Sequence, residues 1–155
     1  MRLVGVFVFW ITVAGSLDAA DRTVFAEDKL SIELPDGWKK SQRNEGVTLG
    51  GWESPDQTTS VFFQKMNVNA SVAMVEILDG IVDNFSKTET MKVHKVDQYK
   101  SGEVNGADKK YPAIFTTLDV TLQAKPKDFD IKFYVFVFDT GSAQYFMQGS
   151  CVKPV

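Results

Sequence analysis

The sequence predicts an α+β domain, an antiparallel meander sheet with one main amphipathic helix packed on it. Most segments alternate apolar and polar residues with the period of a strand. One segment, between residues 71 and 86, repeats its apolar residues every three or four positions instead. Short, turn-rich connections join the last three strands, which is typical of antiparallel neighbours.

The first twenty residues have the features of a secretory leader. Arg2 precedes an apolar run over residues 3–17, which is shorter than the roughly 20 residues of a membrane-spanning helix. Cleavage is expected after Ala20 or after Ala26, and Asp18 fits poorly at its place before an Ala20 cut. An uncleaved anchor is the alternative. We therefore expect a signal peptide over residues 1–20 and an exported protein, periplasmic or secreted.

The remaining chain is expected to form a single domain over residues 28–152. The net charge of −3 and the lack of a basic block argue against nucleic acid and anionic membrane as partners. Cys151 is the only cysteine, so no internal disulfide is expected. Burial as a small apolar residue is the favoured role for Cys151, with an intermolecular disulfide as the alternative.

The first elements are a strand, a turn and a hairpin. Apolar and polar residues alternate over residues 30–34, and Pro35-Asp36-Gly37 is a turn-forming sequence. Residues 46–53 and 58–66 are predicted to be two arms of a hairpin around the turn-forming Ser54-Pro-Asp-Gln57. In the second arm, alternation places Phe62 on the opposite face from Val61 and Phe63.

The helix is predicted over Ser71–Ser86, with Asn69 or Ser71 as its N-cap. Its apolar stripe has six main members: Val72, Val75, Leu78, Ile81, Val82 and Phe85. A stripe of this size needs a large apolar partner, and the sheet is the available one.

Four strand candidates follow the helix. The first is Met91–Tyr99, and a loop rich in Gly, Asn and Asp comes after it. The other three are Pro112–Leu122, Asp130–Phe138 and Ala143–Val152, of which the last two are joined by a tight hairpin at Asp139-Thr-Gly-Ser142.

The strand Asp130–Phe138 is apolar on both faces. Its two faces carry Ile131, Phe133, Val135 and Val137 on one side and Tyr134, Phe136 and Phe138 on the other. Such a strand is expected to be central and covered twice, but only one helix is predicted. If the second face were bare, its rings would expose about 500 Å², more than monomers usually tolerate. Tyr134, Phe136 and Phe138 are therefore the candidate interface; cover by Asp21–Lys29 or by long loops is the alternative.

The order of these segments resembles the PsbP-like family. The matching pieces are LSIELPDGWKK, the hairpin, the helix, EVNGADKKYPAIF and KFYVFVFDTGSAQYFMQGS. The family includes extrinsic proteins of photosystem II and small exported bacterial proteins, some of which act as chaperones or adaptors for secreted effectors. The resemblance implies an α/β/α-type sandwich in which Trp38 caps the core after the Pro-Asp-Gly turn. The usual C-terminal helix is missing, so one helical layer is expected to be reduced, and the cysteine of lipid-anchored members is also missing.

No residue pattern indicates catalysis or a cofactor. His94 is the only histidine and lacks the additional ligands of a zinc site or the motif of a hydrolytic triad. Asp128, Asp130 and Asp139 are interpreted as solvated strand ends, because no calcium-loop pattern accompanies them. We expect no metal, no cofactor and no enzymatic activity.

The favoured functional prediction is an exported non-enzymatic protein-binding domain, of adaptor or chaperone type, that binds another protein or a second copy of itself. The membrane is expected to matter only through the signal segment. The alternative is a carrier in the cell envelope that holds a small apolar ligand in a groove between the sheet and the helix.

Overall fold

The computed structural model describes residues 22–26, 30–41, 49–68, 71–105 and 109–153. The predicted signal peptide and Asn69 lie outside these residues. Within them the chain forms β1 (Arg22–Phe25), β2 (Leu30–Glu33), β3 (Lys39–Lys40), β4 (Gly50–Glu53), β5 (Thr59–Lys65), α1 (Met74–Lys87), β6 (Met91–Val96), β7 (Lys100–Asn105), β8 (Lys110–Leu122), β9 (Phe129–Asp139) and β10 (Gln144–Val152). The α+β class is confirmed.

The main sheet has the strand order β3-β4-β5-β10-β9-β8-β6, and β7 also pairs with β8. All its pairs are antiparallel. The predicted meander of the last three strands is confirmed as β8-β9-β10, and the predicted hairpin as β4-β5. β9 lies between β8 and β10, with Val137 opposite Ile114 on one side and Phe146 on the other. The predicted central position of this strand is therefore confirmed.

Helix α1 begins later than predicted, at Met74, and its N-cap is Ala73, which makes no side-chain capping hydrogen bond. Its buried residues are Ile77, Leu78 and Phe85, which belong to the predicted stripe or flank it. They pack in one cluster with the odd-numbered residues of β9, Ile131 to Val137. We call this surface of the main sheet the helix face. The helix contacts β6, β8 and β9, so it covers that half of the face.

The opposite surface, which carries Tyr134, Phe136 and Phe138, is called the hairpin face. The name refers to the hairpin of β1 and β2, which pair antiparallel in a small separate sheet and cover part of this surface. Leu30 and Ile32 of β2 pack with Phe138 in a second buried cluster. β1 lies ahead of residue 28, the expected start of the domain.

The Pro-Asp-Gly turn acts as the sequence predicts. The Trp38 backbone N–H donates to the Pro35 carbonyl at 3.4 Å, and Gly37 has a φ of +82°, which favours glycine. Trp38 is half-buried against the second cluster, so its predicted capping position is confirmed.

One strand was predicted to be a loop. Lys100–Asn105 forms β7, which pairs with the first half of β8. Gly102 lies over Phe115, and a Cβ at that position would come within 3.1 Å of the Phe115 ring. The loop-like composition is overridden because the long strand β8 supplies a partner along its edge.

Candidate functional site

Phe138, one of the three predicted interface residues, is buried and cannot form a docking surface. Its exposed fraction is 0 %, and its ring stacks on Tyr145 at 5.1 Å and on Phe63 at 6.1 Å. The expectation that nothing within the chain covers the second face is wrong, because β2 lies over this end of it. The alternative, cover by the leading segment, is confirmed for Phe25, which packs against the same cluster.

Tyr134 and Phe136 are both half-buried. Phe136 packs against the edge of the cluster and stacks on Phe115 with 5.4 Å between ring centroids and 22° between planes. Gly149 is the cross-strand neighbour of Tyr134, and a Cβ on it would lie 3.8 Å from the Tyr134 Cβ. Phe115, Tyr134 and Phe136 form what we call the aromatic strip, of which Tyr134 and Phe136 are the partly exposed remainder of the predicted interface.

Beyond the aromatic strip the hairpin face is charged. Asp119 forms ion pairs with two lysines: its Oδ1 lies 2.9 Å from the Lys153 Nζ and 3.7 Å from the Lys132 Nζ. The Lys153 ammonium lowers the pKa of Asp119 below its ordinary value, against the opposite effect of burial. Lys95 lies 2.6 Å from Asp97. We call these five residues the charged network.

Asp97 has the more strongly shifted pKa in the charged network, lowered to about 2. The main cause is the hydrogen bond from Lys95, and the second is the hydrogen bond that the Thr117 hydroxyl donates to Oδ2. The Asp97 backbone is also fixed, since its N–H donates to the Thr117 carbonyl at 2.9 Å and its carbonyl accepts from the Thr116 hydroxyl at 2.7 Å. These contacts hold the carboxylate in place for a structural role.

His94 lies exposed on the outer strand β6, and its Nε2 is 2.8 Å from the Thr121 hydroxyl. Thr121 donates its only hydroxyl hydrogen to Asp130 at 2.6 Å, so it accepts from the His94 Nε2–H. No group of three or more His, Cys, Asp or Glu side chains in the described part of the chain is arranged to hold a metal.

Of the remaining residues singled out in the sequence, Asp139 makes hydrogen bonds in a turn, Asp128 is exposed and Cys151 is half-buried. The Asp139 carboxylate accepts from the Gly141 N–H at 2.6 Å and from the Gln144 side-chain amide at 3.0 Å, so it shapes the β9-β10 turn. Asp128 is exposed. Cys151 lies opposite Lys132 and is half-buried, whereas the sequence favours a buried position.

A groove lies on the helix face, beside α1, over the part of the sheet that α1 does not cover. It has a volume of about 330 Å³. The residues that line it come from β5, α1, β6 and β10 and from the segments that follow β5 and α1: Gln64, Met66, Ile81, Asn84, Phe85, Thr88, Met91, Phe146 and Gln148.

The floor of the groove is apolar and well packed. Phe146 is 7 % exposed and meets Phe62 edge-on at 5.9 Å. Phe85 is 9 % exposed and meets Phe133 edge-on at 4.8 Å. Each ring is therefore packed against an aromatic neighbour, which favours a preformed site.

The polar residues of the groove carry no charge. They are two glutamines, an asparagine and a threonine, and the described lining includes no Lys, Arg, Asp or Glu. Met66 and Met91 add flexible apolar side chains that adapt to ligand shape. The groove can therefore hold an uncharged ligand with an apolar body and a hydrogen-bonding group.

The sequence predicts a groove between the sheet and the helix, as the alternative to protein binding, but does not predict the set of residues that lines it. Alternation separated Phe62 from Val61 and Phe63, and helical spacing identified Ile81 and Phe85. Both signals were correct. The missing information was the adjacency of β5 and β10, which brings Gln64 opposite Phe146.

A scan of the chain against models of known protein families finds no matching family, and a search of curated proteins finds no match either. Within the described residues, no helix has the length and apolar character needed to cross a bilayer.

Proposed function

We propose that this chain is an exported, non-enzymatic binding domain of PsbP-like type that carries a small, uncharged apolar ligand in the groove beside α1. The groove itself is the observation that carries the proposal. Its volume of about 330 Å³ lies at the lower end of the range for small-molecule sites, roughly 300–1,000 Å³.

The chemistry of the groove supports an uncharged ligand. A charged group placed against Phe85 and Phe146 would lose its hydration without gaining an opposite charge from the described lining. An apolar body would instead displace roughly ten waters, at about 30 Å³ each. Gln64, Gln148 and Asn84 offer both donors and acceptors to a hydrogen-bonding group.

The order of the elements supports the PsbP-like part of the proposal. The Trp38 turn, the hairpin, helix α1 and the final meander occur in the order on which the resemblance rests. Export rests on the leader features of residues 1–20.

Protein binding, including self-association, is the second candidate. The aromatic strip favours it, because Phe115 and Phe136 present stacked, half-buried rings beside an exposed charged surface. An apolar centre beside charged groups is a common arrangement at protein interfaces. With Phe138 buried, this strip is smaller than the patch that the sequence predicts, so it ranks second.

The test uses N-phenyl-1-naphthylamine, an uncharged fluorescent probe, titrated into the purified protein. Ile81→Trp puts a larger, aromatic side chain into the groove and should weaken probe binding at least tenfold. Val75→Trp makes a similar change on an outward position of the same helix, where Val75 is 42 % exposed, and should bind like wild type. Circular dichroism checks that both variants keep the helix.

Failure of the wild-type protein to bind the probe, or equal binding by Ile81→Trp, would contradict the carrier proposal. Light scattering coupled to size-exclusion chromatography tests the second candidate in the same samples. A dimer that Tyr134→Ser converts to a monomer would favour protein binding through the aromatic strip.

A further inference from the structure

β1 is part of the folded core. The Phe25 ring meets Phe63 at 5.4 Å and Trp52 at 6.2 Å, both edge-on. The Arg22 guanidinium donates from Nε to the Ser31 hydroxyl at 3.0 Å. These contacts join both ends of β1 to residues that are themselves buried.

β2 depends on β1 for its backbone pairing. The two strands form a separate two-stranded sheet over four residue pairs, from Arg22 opposite Glu33 to Phe25 opposite Leu30. Leu30 and Ile32 of β2 are each 1 % exposed and form part of the cover over Phe138. Loss of β1 would leave backbone groups of a mostly buried strand without their partners and would uncover the Phe63 and Trp52 rings.

The sequence Val24-Phe25-Ala26 resembles a leader cleavage motif because small residues flank Phe25. The structure gives this pattern another cause. Val24 is 52 % exposed, Ala26 is exposed, and Phe25 between them points into the core. The alternation is that of a strand with one buried face.

We infer that processing of the leader ends before Arg22, so that the bond after Ala26 is not cut and the mature protein keeps β1. The inference rests on the proposed export. The enzyme involved is a leader peptidase that prefers small residues at the first and third positions before the cut, a preference that Asp18 opposes at an Ala20 cut. The ligand-binding groove lies on the other face of the sheet, so its test is independent.

The main experiment expresses the full chain in a secreting bacterial host and measures the intact mass of the exported protein, with sequencing of its N-terminus. The expected N-terminus lies at or before Arg22. A chain that begins at Glu27 overturns the inference while leaving export intact. A chain that retains Met1 in the cell also overturns it, and in that case the proposed export fails as well.

Val24→Asp provides a second arm. It places a charge at the third position before an Ala26 cut, where Asp18 stands before an Ala20 cut, so it disfavours cleavage after Ala26, and it affects an exposed side chain. The expected N-terminus is the same as in the wild type. A shift of the N-terminus, or loss of processing, in this variant would show that the Ala26 bond is the one normally cut.

Thermal unfolding of the exported protein gives a third arm with a matched pair. Phe25→Ala should lower the Tm by roughly 5–15 °C, whereas Val24→Ala should change it by about 2 °C or less. If both variants unfold at the wild-type temperature, β1 is absent from the mature protein or makes no contribution, and the inference fails.

Discussion

The two faces of β9 carry similar side chains but are covered in different ways. On the helix face, four consecutive inward positions from Ile131 to Val137 are buried in one continuous cluster. On the hairpin face, burial declines along the strand from Phe138, which is fully buried, through Phe136 and Tyr134, which are half-buried, to the ion-paired Lys132. Apolar alternation therefore shows which face of a strand needs cover, but it does not show how much of that face is covered.

The size of each cover explains this difference. α1 has 14 residues and spans several strands, whereas β1 and β2 have four residues each. The hairpin therefore covers one end of its face. At the other end, the exposed surface is occupied by Asp119, Lys132 and Lys153, whose charges are compatible with water.

The largest expected effect is that of Phe138→Ala on the hairpin face. Phe138 is fully buried between stacked rings, so truncation should lower the free energy of unfolding by about 3–5 kcal/mol. Tyr134→Ala on the same strand should cost about 1 kcal/mol, because Tyr134 is half-buried. Urea denaturation measures both values. Equal losses would contradict the division of this face into a covered and an exposed end.

Leu78→Ala tests the cover of the helix face and should cost about 2–4 kcal/mol, since Leu78 is 0 % exposed. Val75→Ala, at an exposed position of the same helix, is the control and should stay within about 0.5 kcal/mol of wild type. Urea denaturation again measures the free energy of unfolding. A loss below about 1 kcal/mol at Leu78 would mean that α1 is a weakly attached cover.

Local periodicity was sufficient for the elements that bury one regular face. It located β5, α1 and β8 to β10 because their apolar residues, such as Val61, Leu78 and Val135, repeat with the period of a strand or a helix. It also placed the strand Asp130–Phe138 at the centre of the sheet. These successes depend only on residues close together in the chain.

The features that the sequence did not predict, or gave only as an alternative, depend on residues far apart in the chain. Arg22–Phe25 contains one large apolar ring and lies beside the leader, so its role as a cover depends on Trp52 and Phe63, which it meets only after folding. The charged network likewise depends on the register that places Asp119 opposite Lys132. Neither pairing has a local signal, and the residues that line the groove between α1 and β10 are missing from the prediction for the same reason.

The smallest expected effect is at Asp97 in the charged network, and it depends on pH. Its pKa is lowered from 3.8 to about 2 by Lys95 and Thr117. A lowered folded-state pKa stabilises the protein above the unfolded-state value, and this contribution is lost as pH falls through about 2. The urea concentration at the unfolding midpoint should therefore decrease as the pH is lowered from 5 to 2. Asp97→Asn should lower this midpoint at pH 5 and should make its decrease with pH smaller.

Lys95→Gln provides the matching variant, because it removes the first cause of the shift and leaves the carboxylate in place. Its acid-induced fall in the midpoint should also be smaller than in wild type. The double variant should behave like either single one, since both substitutions disrupt one interaction. Additive changes would mean that Lys95 and Asp97 act through different partners, and the exposed end of the hairpin face would then be a set of separate charges instead of a network.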